Sequence, residues 1–412
     1  MIDLSPVVVT GLGTVNATGC GRRASSDALS DSQTHWSIVD RSAGFHRRRG
    51  SRLAGLTAGV DLSPWLAPAM ARRMSQPSRL AVAAAKMALA DAGLELDGSE
   101  EPPTAVVVSN AHGPNSILEK ILFQQLRQGP LAVSPALFTE SVANAPAAQV
   151  AIACRARGPN LTVIQRDAGA LIAVTQAAAE IVAGRVSRAV VIAVDELTPL
   201  LHAVLDRFNM LATDDDKGEE TARPFDRRRT GAIAAEGSTA LVLEPEAAVR
   251  DRGGKVLARL RSGASAFDPR SPRSGWSNDP RTLAGACRRY LDKTGSRPED
   301  FGAVVSGTAG TFGGDRLEAG VLRAVWGECR LPPVLVPKAV LGDHGGGLLA
   351  GMVLAIEGAA FGPTPGFAEA DPDLGVIPHD GRPFEPPAKL LATAVAAGGA
   401  AAWLVLEKEH ER

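Results

Sequence analysis

Short apolar runs alternate with alanine-rich stretches along the whole chain. The runs are rich in β-branched residues and lack polar alternation, a pattern typical of strands that are covered on both faces. Strands that alternate with helices predict parallel βαβ units, so we expect an α/β fold with helices on both sides of central sheets. The predicted strands are residues 7–13, 105–110, 189–196, 239–245, 303–308, 334–338 and 402–407, and the predicted helices are residues 78–92, 168–183, 279–294 and 348–361.

An apolar strand followed by a glycine- and alanine-rich helix occurs twice, in residues 160–196 and 333–362. Each helix begins just after a strand ends, where backbone N–H groups are free and a reacting group can be held. The small residues at both helix starts would let the two helices approach closely at the centre of the molecule. The repeat predicts two duplicated halves, residues 1–250 and 251–412. Tight core packing without any reacting group explains the same two helices equally simply.

Two polar segments, residues 31–55 and 264–281, are predicted to be exposed loops because they are rich in arginine, serine and proline. Arginine triplets stand at residues 47–49 and 227–229. Such triplets usually form a solvated face, and the alternative is a docking patch for an acidic partner or a phosphate group.

Composition and charge exclude several classes of protein. The chain has 412 residues, of which 45% are hydrophobic and 22% charged, and its net charge is -1, so we expect a globular protein that does not bind nucleic acid. Its four cysteines form no C-x-x-C pair, which fits a reduced compartment and predicts a cytoplasmic location. The longest apolar stretch, residues 390–406, is shorter than the roughly 20 residues of a membrane span, so no membrane association is expected.

The generic cofactor motifs are incomplete. Gly11 and Gly13 follow a predicted strand, but Asn16 stands at the third glycine position of a dinucleotide-binding turn. The histidine and three glycines at residues 344–347 resemble the oxyanion loop of some hydrolases, but the G-x-S-x-G elbow of that fold is missing. The chain has no phosphate-binding P-loop motif and its seven histidines lack metal-ligand spacing, so we expect no cofactor and no metal.

Several segments together resemble the β-ketoacyl synthase family of the thiolase fold. The sequence VVVTGLG at residues 7–13 is similar to the first strand of that family. Residues 223–244 begin with RPFD, continue with RRRTG and end with AEGSTALVLE, which matches a family block almost position for position. PKAVLG at residues 337–342 and AAGGA at residues 396–400 also fit. The resemblance implies a thiolase-like fold, with two duplicated βαβ halves in an α-β-α-β-α arrangement of layers.

The resemblance also shows which catalytic positions are changed. A condensing member of the family uses a cysteine thiolate on the first central helix and two histidines that stabilise the enolate and the oxyanion. Asp167 stands at the cysteine position, Gly307 or Ser306 at the first histidine, and Asp343 or His344 at the second, while Ala397 replaces the gating phenylalanine. A carboxylate cannot form a thioester, so the resemblance implies that the chain carries no catalytic residues at these positions.

This combination is similar to the chain length factor, or ketosynthase β subunit, of type II polyketide synthases. Such a subunit forms a heterodimer with a catalytic ketosynthase α subunit, works with an acyl carrier protein and sets the length of an aromatic or polyene chain. It needs no cofactor of its own, because the partner and the carrier hold the phosphopantetheine-linked chain. The resemblance places the residues that limit chain length on the predicted helix 114–128, and they are Ile117, Lys120, Ile121, Phe123 and Gln124.

Two other functions stay open from the sequence. The chain could be an active β-ketoacyl carrier protein synthase or another acyltransferase that uses unusual residues. A free-standing homodimer of this fold that only binds ligands is the third hypothesis. Asp167 and Asp343 either stabilise the two helix starts as structural caps or take part directly in chemistry.

Overall fold

The described residues, 2–214 and 219–409 of this computed structural model, contain strands and helices in alternation. Within these ranges no helix is both long enough and apolar enough to cross a bilayer. The strands are β1 (Ile2–Asn16), β2 (Gly19–Cys20), β3 (Ser37–Ile38), β4 (Leu53–Ala54), β5 (Thr104–Ser109), β6 (Asn160–Val163), β7 (Arg188–Asp195), β8 (Gly237–Pro245), β9 (Ala258–Phe267), β10 (Ala303–Ser306), β11 (Val334–Leu335), β12 (Lys389–Val395) and β13 (Ala400–Glu407). The helices are α1 (Arg22–Asp31), α2 (Pro68–Ala71), α3 (Gln76–Asp91), α4 (Asn115–Gln128), α5 (Pro135–Phe138), α6 (Ala145–Ala153), α7 (Gly169–Val182), α8 (Pro199–Arg207), α9 (Glu246–Asp251), α10 (Arg281–Lys293), α11 (Phe312–Trp326), α12 (Lys338–Leu341) and α13 (Gly345–Glu357).

The strand order repeats the same five-stranded pattern twice. One half has the order β6-β5-β7-β8-β1 and the other has the order β11-β10-β12-β13-β9. In each half the first two pairings are parallel and the next two are antiparallel. The halves join where β1 pairs antiparallel with β9. The predicted duplication is therefore present in the topology, whereas the division of the chain at residue 250 stays a prediction.

The three largest buried clusters among the described residues pack between the five layers. Helices α7 and α13 lie in the middle, packed between the inner faces of the two halves of the sheet. Helices α3 and α6 cover the outer face of the first half, and α10 and α11 cover the outer face of the second. This α-β-α-β-α arrangement confirms the predicted fold class. It also explains why the strands are apolar runs without alternation, since both of their faces are buried.

The sequence-based expectation of purely parallel units was wrong in part. Strands β9 and β12 were not predicted, and both enter antiparallel pairs. The apolar stretch at residues 390–406 is a hairpin of β12 and β13, which turns at Gly398 and Gly399 with φ values of 90° and 100°. A left-handed backbone favours glycine, so the AAGGA sequence allows this tight reversal.

The segment predicted to be an exposed loop at residues 31–55 is partly buried. It contains the short pair β3–β4, and Val39, Ser51 and Ala54 are buried. The arginine triplets are also not simply solvated. Arg229 is buried and its Nη1 lies 2.6 Å from Asp371 Oδ2, while Arg47 Nη2 lies 2.7 Å from Asp206 Oδ1. Arg47 and Arg229 depart from the expected solvated face because their partners are distant in sequence and give no local signal, whereas Arg48, Arg49 and Arg227 are exposed as expected.

Candidate functional site

The two central helices bring the predicted site residues together at the middle of the molecule. Asp167 lies in a single 3-10 turn, Arg166–Ala168, directly before α7. Asp343 lies between α12 and α13. Because the two halves are duplicated, the starts of α7 and α13 face the same space. Arg166 has a left-handed backbone with φ 43°, so the turn that carries Asp167 is strained.

Lys338 bridges the two aspartates. Its Nζ lies 2.9 Å from Asp167 Oδ1 and 2.8 Å from Asp343 Oδ1. The lysine side chain is 1% exposed, whereas each carboxylate is 26% exposed. Burial alone would lower the pKa of Lys338, but the two carboxylates outweigh it and raise the pKa above its ordinary value, so the ammonium group stays charged. The buried ammonium group of Lys338 therefore links the two carboxylates. Each carboxylate accepts a hydrogen bond from it.

Further carboxyl groups surround this bridge. Asp195, at the end of β7, accepts hydrogen bonds from the backbone N–H groups of Ala111 at 2.7 Å and Gly345 at 3.1 Å. It thereby ties the start of α13 to the neighbouring sheet half. Burial raises the pKa of Asp195, opposed by His112 and by these two hydrogen bonds. The Asp195 carboxylate therefore fixes the backbone at Ala111 and Gly345.

His344 also lines the space that Asp167 and Asp343 border, and its ring packs against two glycines. A Cβ placed on Gly237 would lie 2.8 Å from His344 Cε1, and one on Gly346 would lie 2.9 Å from the same atom, so the ring fills the space over these glycines. Burial lowers the pKa of His344 to about 3, and the ring is neutral at physiological pH. Of the two residues considered for the second histidine position, Asp343 is therefore the one in contact with Lys338 and near Asp167.

Neither of the two residues considered for the first histidine position lines the cavity beside this centre. Ser306 Oγ donates to Glu318 Oε1 at 2.7 Å and lies 2.8 Å from Thr308 Oγ1. A Cβ on Gly307 would come within 3.0 Å of Ala394 Cβ and of the Thr393 carbonyl oxygen, so little room exists for a larger residue without movement. Burial raises the pKa of Glu318 to about 8. This region is filled by a hydrogen-bonded carboxyl group.

A cavity of about 440 Å³ opens beside the bridge. Its polar end contains Asp167, Lys338, Asp343 and Asp195, together with Arg166 and His112, and Ala397 lies at its border. Its apolar wall comes mainly from α8 and the residues after it. The cavity size is that of a small-molecule site. The apolar wall residues are Leu197, Leu201, Val204, Leu205, Phe208, Met210, Leu211, Ala234 and Ala235.

None of the four cysteines lines this cavity. Cys154 is buried, and burial raises its pKa to about 11; burial also raises the pKa of Cys287 well above its ordinary value. Both are therefore protonated thiols without nucleophilic character at neutral pH. Cys20 and Cys329 are partly exposed, and the pKa of each is also raised, in Cys20 by burial and in Cys329 by the carboxylate of Glu299. The cavity offers carboxylates and an ammonium group, but no thiolate to carry an acyl chain.

The predicted chain-length residues lie on α4, away from the cavity lining. Ile117 is buried, Phe123 is exposed, and Lys120 is exposed at the helix surface. Gln124 Oε1 accepts from the backbone N–H of Ser134 at 3.2 Å, and Ile121 is partly buried. These residues do not line the cavity of this chain, so any effect on chain length has to be exerted outside that cavity. Their assignment as length-setting residues stays a prediction.

Sequence reasoning missed Lys338, Asp195, Arg166 and His112. Lys338 lies in the PKAVLG segment, so its position was available, but its two partners are 171 and 5 residues away in sequence. Asp195 was hidden because it ends a buried strand and its partners are backbone groups. A charged residue at the end of an apolar strand was the signal that could have identified it.

Comparisons with known proteins agree with this architecture. The family described as β-ketoacyl synthase, N-terminal domain, matches residues 4–248. The β subunit of the tetracenomycin polyketide synthase ketoacyl synthase of Streptomyces glaucescens is 30% identical over 382 residues, covering 90% of each chain. The α subunit from the same organism is 29% identical over 391 residues, covering 91% of each chain. The chain is thus about equally similar to both subunits, so sequence similarity alone does not distinguish them.

Solved structures extend the agreement over almost the whole chain. The ishigamide ketosynthase/chain length factor superposes with a TM-score of 0.87 at 26% identity, covering 98% of this chain and 99% of that chain. A type II polyketide synthase ketosynthase in complex with its acyl carrier protein gives a TM-score of 0.86 at 20% identity, covering 98% and 99%, which shows the shared fold. The layered duplicated architecture and the family match place this chain in the β-ketoacyl synthase family, among relatives that are ketosynthase α and β subunits of type II polyketide synthases.

Proposed function

We propose that this chain is a non-condensing chain length factor, which pairs with a catalytic ketosynthase and limits the length of the polyketide chain that the pair makes. The observation that carries the proposal is the Asp167–Lys338–Asp343 bridge in place of a thiolate and a histidine. A carboxylate held by an ammonium group can neither accept an acyl group as a thioester nor donate a proton as an imidazolium does. The acyl chain must then be held by another polypeptide.

A second observation supports an obligate partner. Strand β6 lies at the edge of the sheet and its four residues are partly or fully exposed, which leaves one row of its backbone groups without a neighbouring strand among the described residues. Large apolar side chains are exposed on the elements next to it in sequence. An exposed strand edge with apolar neighbours is typical of a surface that another chain covers. The exposed apolar residues are Leu118, Leu122, Phe123, Leu126, Leu131, Phe138, Val142, Ile152, Leu161 and Ile164.

Helix α4 contributes four of these exposed residues, and it also carries the predicted length-setting residues. In the proposed heterodimer, α4 would face the partner and its side chains would close the partner's tunnel. Each further CH₂ that enters an apolar tunnel gains about 0.8 kcal/mol until a side chain blocks it. Overfilling a packed space then costs about 1–3 kcal/mol, which is enough to stop elongation.

The decisive experiment measures acylation of each subunit. The purified chain, and separately its partner ketosynthase, are incubated with an acyl carrier protein loaded with a labelled acyl chain, and the intact masses are compared. We expect the acyl mass on the partner and none on this chain. In the reconstituted pair, Asp167→Ala should leave condensation largely unchanged, because the residue acts only through its bridge.

Two outcomes would count against the proposal. A covalent acyl adduct on the isolated chain, or product formed by it without a partner, would favour the alternative of an active acyltransferase with unusual residues. A chain that is monodisperse and dimeric alone, and that gains nothing from a partner, would favour a free-standing binding protein.

A further inference from the structure

Helix α8 has two different faces, and only one of them borders the cavity. Leu201, Val204 and Leu205 line the cavity, together with Phe208 directly after the helix. His202 and Asp206 lie on the other face and are completely buried. The position of the cavity wall therefore depends on what holds this second face.

A segment far away in sequence, residues 46–53, contacts that face through charged groups and histidines. His46 Nε2 lies 3.0 Å from His202 Nδ1, and Arg47 Nη2 lies 2.7 Å from Asp206 Oδ1. The backbone N–H of Ser51 donates to Asp206 Oδ1 at 3.0 Å. We refer to residues 46–53 with His202 and Asp206 as the α8 clip.

The hydrogen bonds define the protonation of the two rings. His202 Nε2 lies 3.2 Å from the carbonyl oxygen of Leu53, which can only accept, so Nε2 carries the hydrogen. In a neutral ring, Nδ1 of His202 then has a free lone pair and accepts from Nε2–H of His46. Nδ1 of His46 is buried and has no hydrogen-bond partner among the described residues. Both rings thus fit the clip only in their neutral form.

A proton on either ring disturbs this arrangement. Protonation of His202 at Nδ1 places two N–H donors against each other and breaks the contact between the rings. Protonation of His46 at Nδ1 buries a charged donor without an acceptor. The rings are 5.1 Å apart between centroids, so two charged rings would also repel each other.

The surrounding charges do not offset this cost. Burial is the largest cause that lowers the pKa of both His46 and His202 below 6.5, and the two positive residues near His46 add to it. The nearby carboxylates and the Leu53 carbonyl oppose the shift without reversing it. Asp206 is itself bound to Arg47 and to two backbone N–H groups. The charged groups that face the pair are Asp40, Arg41, Asp206 and Arg207 around His46, and Asp206 and Glu220 around His202.

We propose that the His46–His202 pair is a proton-sensitive clip that holds the α8 wall of the cavity in place at neutral pH and releases it in acid. The pKa of each histidine is lowered only while the two rings are in contact. The contact therefore stabilises the clip above pH 6.5, and this stabilisation is lost as the pH falls below that value. The Arg47–Asp206 ion pair keeps residues 46–53 attached to α8 when the ring contact is lost, so the segment loosens locally while the molecule stays folded. This inference concerns the cavity of this chain and does not depend on the proposed pairing function.

Hydrogen exchange of the purified full-length chain at pH 7.5 and 5.5 tests the clip. After correction for the intrinsic pH dependence of exchange, protection of residues 199–208 and 46–53 should fall by about tenfold or more, the change that one coupled proton produces per pH unit. Protection of α3 and α7, which do not contact the clip, should stay constant and so exclude global unfolding.

The variant His46→Gln distinguishes a loss of α8 protection caused by the two histidines from a loss caused by acid elsewhere in the molecule. A glutamine amide can donate to neutral His202 or, after a flip, accept from protonated His202, so the contact survives in both states. We expect its α8 protection to match that of the wild type at pH 7.5 and to fall far less at pH 5.5. The matched control is His35→Gln, since His35 is exposed, and it should behave as the wild type.

A direct titration covers the case in which the variant is unstable. The Cε1–H proton resonances of His46 and His202 in the wild type should both titrate below pH 6.5, in step with the loss of α8 protection. Equal corrected protection of α8 at both pH values, or an equal fall in wild type and His46→Gln, would overturn the proposal.

Discussion

At the scale of single residues, the centre of this protein is defined by one lysine and two aspartates. Asp167 and Asp343, which stand at the thiolate and imidazole positions in the proposed function, would by themselves place two carboxylates close together. Lys338 makes the pair possible, because its buried ammonium group lies within 3 Å of one oxygen of each. The three charges therefore depend on one another, and removal of the lysine would leave two facing carboxylates without a cation.

Lys338→Met tests this compensation. It keeps the length of the side chain and removes the charge, leaving two facing carboxylates. Breaking a buried ion pair costs about 3–5 kcal/mol, and we expect the lower end since the carboxylates are partly in water. The free energy of unfolding from urea titration measures the loss. The control Lys255→Met removes a surface pair with Asp91 and should cost about 1 kcal/mol or less. Equal small losses in both variants would mean that the bridge is unimportant.

A second titratable residue, Glu318, makes stability depend on pH between about 4.5 and 8. Burial raises its pKa from 4.5 to about 8, so the folded state binds a proton that the unfolded state has already released. Stability from this group is complete below about pH 4.5 and is lost as the pH rises toward 8. Burial likewise raises the pKa of Asp315 to about 7, with the same sign.

Glu318→Gln should therefore make stability less dependent on pH between 5 and 8. The amide oxygen can still accept from Ser306, so the fold is retained. The slope of unfolding free energy against pH should fall by up to about 1.4 kcal/mol per pH unit, the contribution of one proton. Urea midpoints across this range give the slope. Glu328→Gln, at an exposed position, is the control, and an unchanged slope in Glu318→Gln would contradict the assignment.

At the scale of secondary-structure elements, α4 differs from the other long helices. Only Ile117 is buried among its 14 residues, whereas nine of the 14 residues of α7 and 11 of the 13 residues of α13 are buried. The leucine and phenylalanine side chains that α4 exposes to solvent gain no burial energy from packing against this chain. Its exposed apolar face gains full burial only against another chain, which fits the proposed role at the end of a partner's tunnel.

Phe123→Ala should lengthen the products of the reconstituted pair, because a smaller side chain allows further CH₂ groups to enter before overfilling begins. Ile117→Ala is expected to act in the same direction, with an additional loss of stability since Ile117 is buried. Product lengths by liquid chromatography and mass spectrometry provide the measurement. Gln125→Ala, at an exposed position on the same helix, should leave the lengths unchanged. Unaltered lengths in both Phe123→Ala and Ile117→Ala would exclude α4 as the cap.

At the scale of the whole molecule, the duplicated sheet has two unequal edges. The edge at β11 is buried and is further joined by an isolated bridge between Val334 and Pro378. The edge at β6 is exposed. An unprotected edge is a liability for a free monomer. The asymmetry between the two edges indicates which side of the molecule an assembly would use.

Leu126→Glu should weaken the heterodimer at least about tenfold, which corresponds to roughly 1.4 kcal/mol, because it places a charge in the buried surface. Sedimentation or isothermal titration gives the dissociation constant. Ile38→Glu is a matched control, since Ile38 and Leu126 are both 79% exposed and Ile38 lies on β3 outside that surface. If both variants pair as tightly as the wild type, α4 is not part of the interface.

The sequence by itself determined the fold class and the duplication, and it predicts that Asp167 stands where a condensing relative has a thiol nucleophile. Apolar runs such as those of β5 and β7, rich in β-branched residues, are typical of strands buried on both faces, and a carboxylate such as Asp167 cannot perform thiolate chemistry in any conformation. These conclusions depend on local pattern and on residue chemistry, neither of which needs knowledge of distant contacts.

Only the tertiary structure decided the remaining features. The antiparallel pairings of β9, the bridge from Lys338 to Asp167, and the clip between His46 and His202 all join residues that are far apart in the chain. Strand direction and charge pairing depend on which segments become neighbours, and that choice is made by the burial of the whole core. The structural role of charged residues such as Lys338 and Arg47 thus depends on partners that lie far away in the sequence.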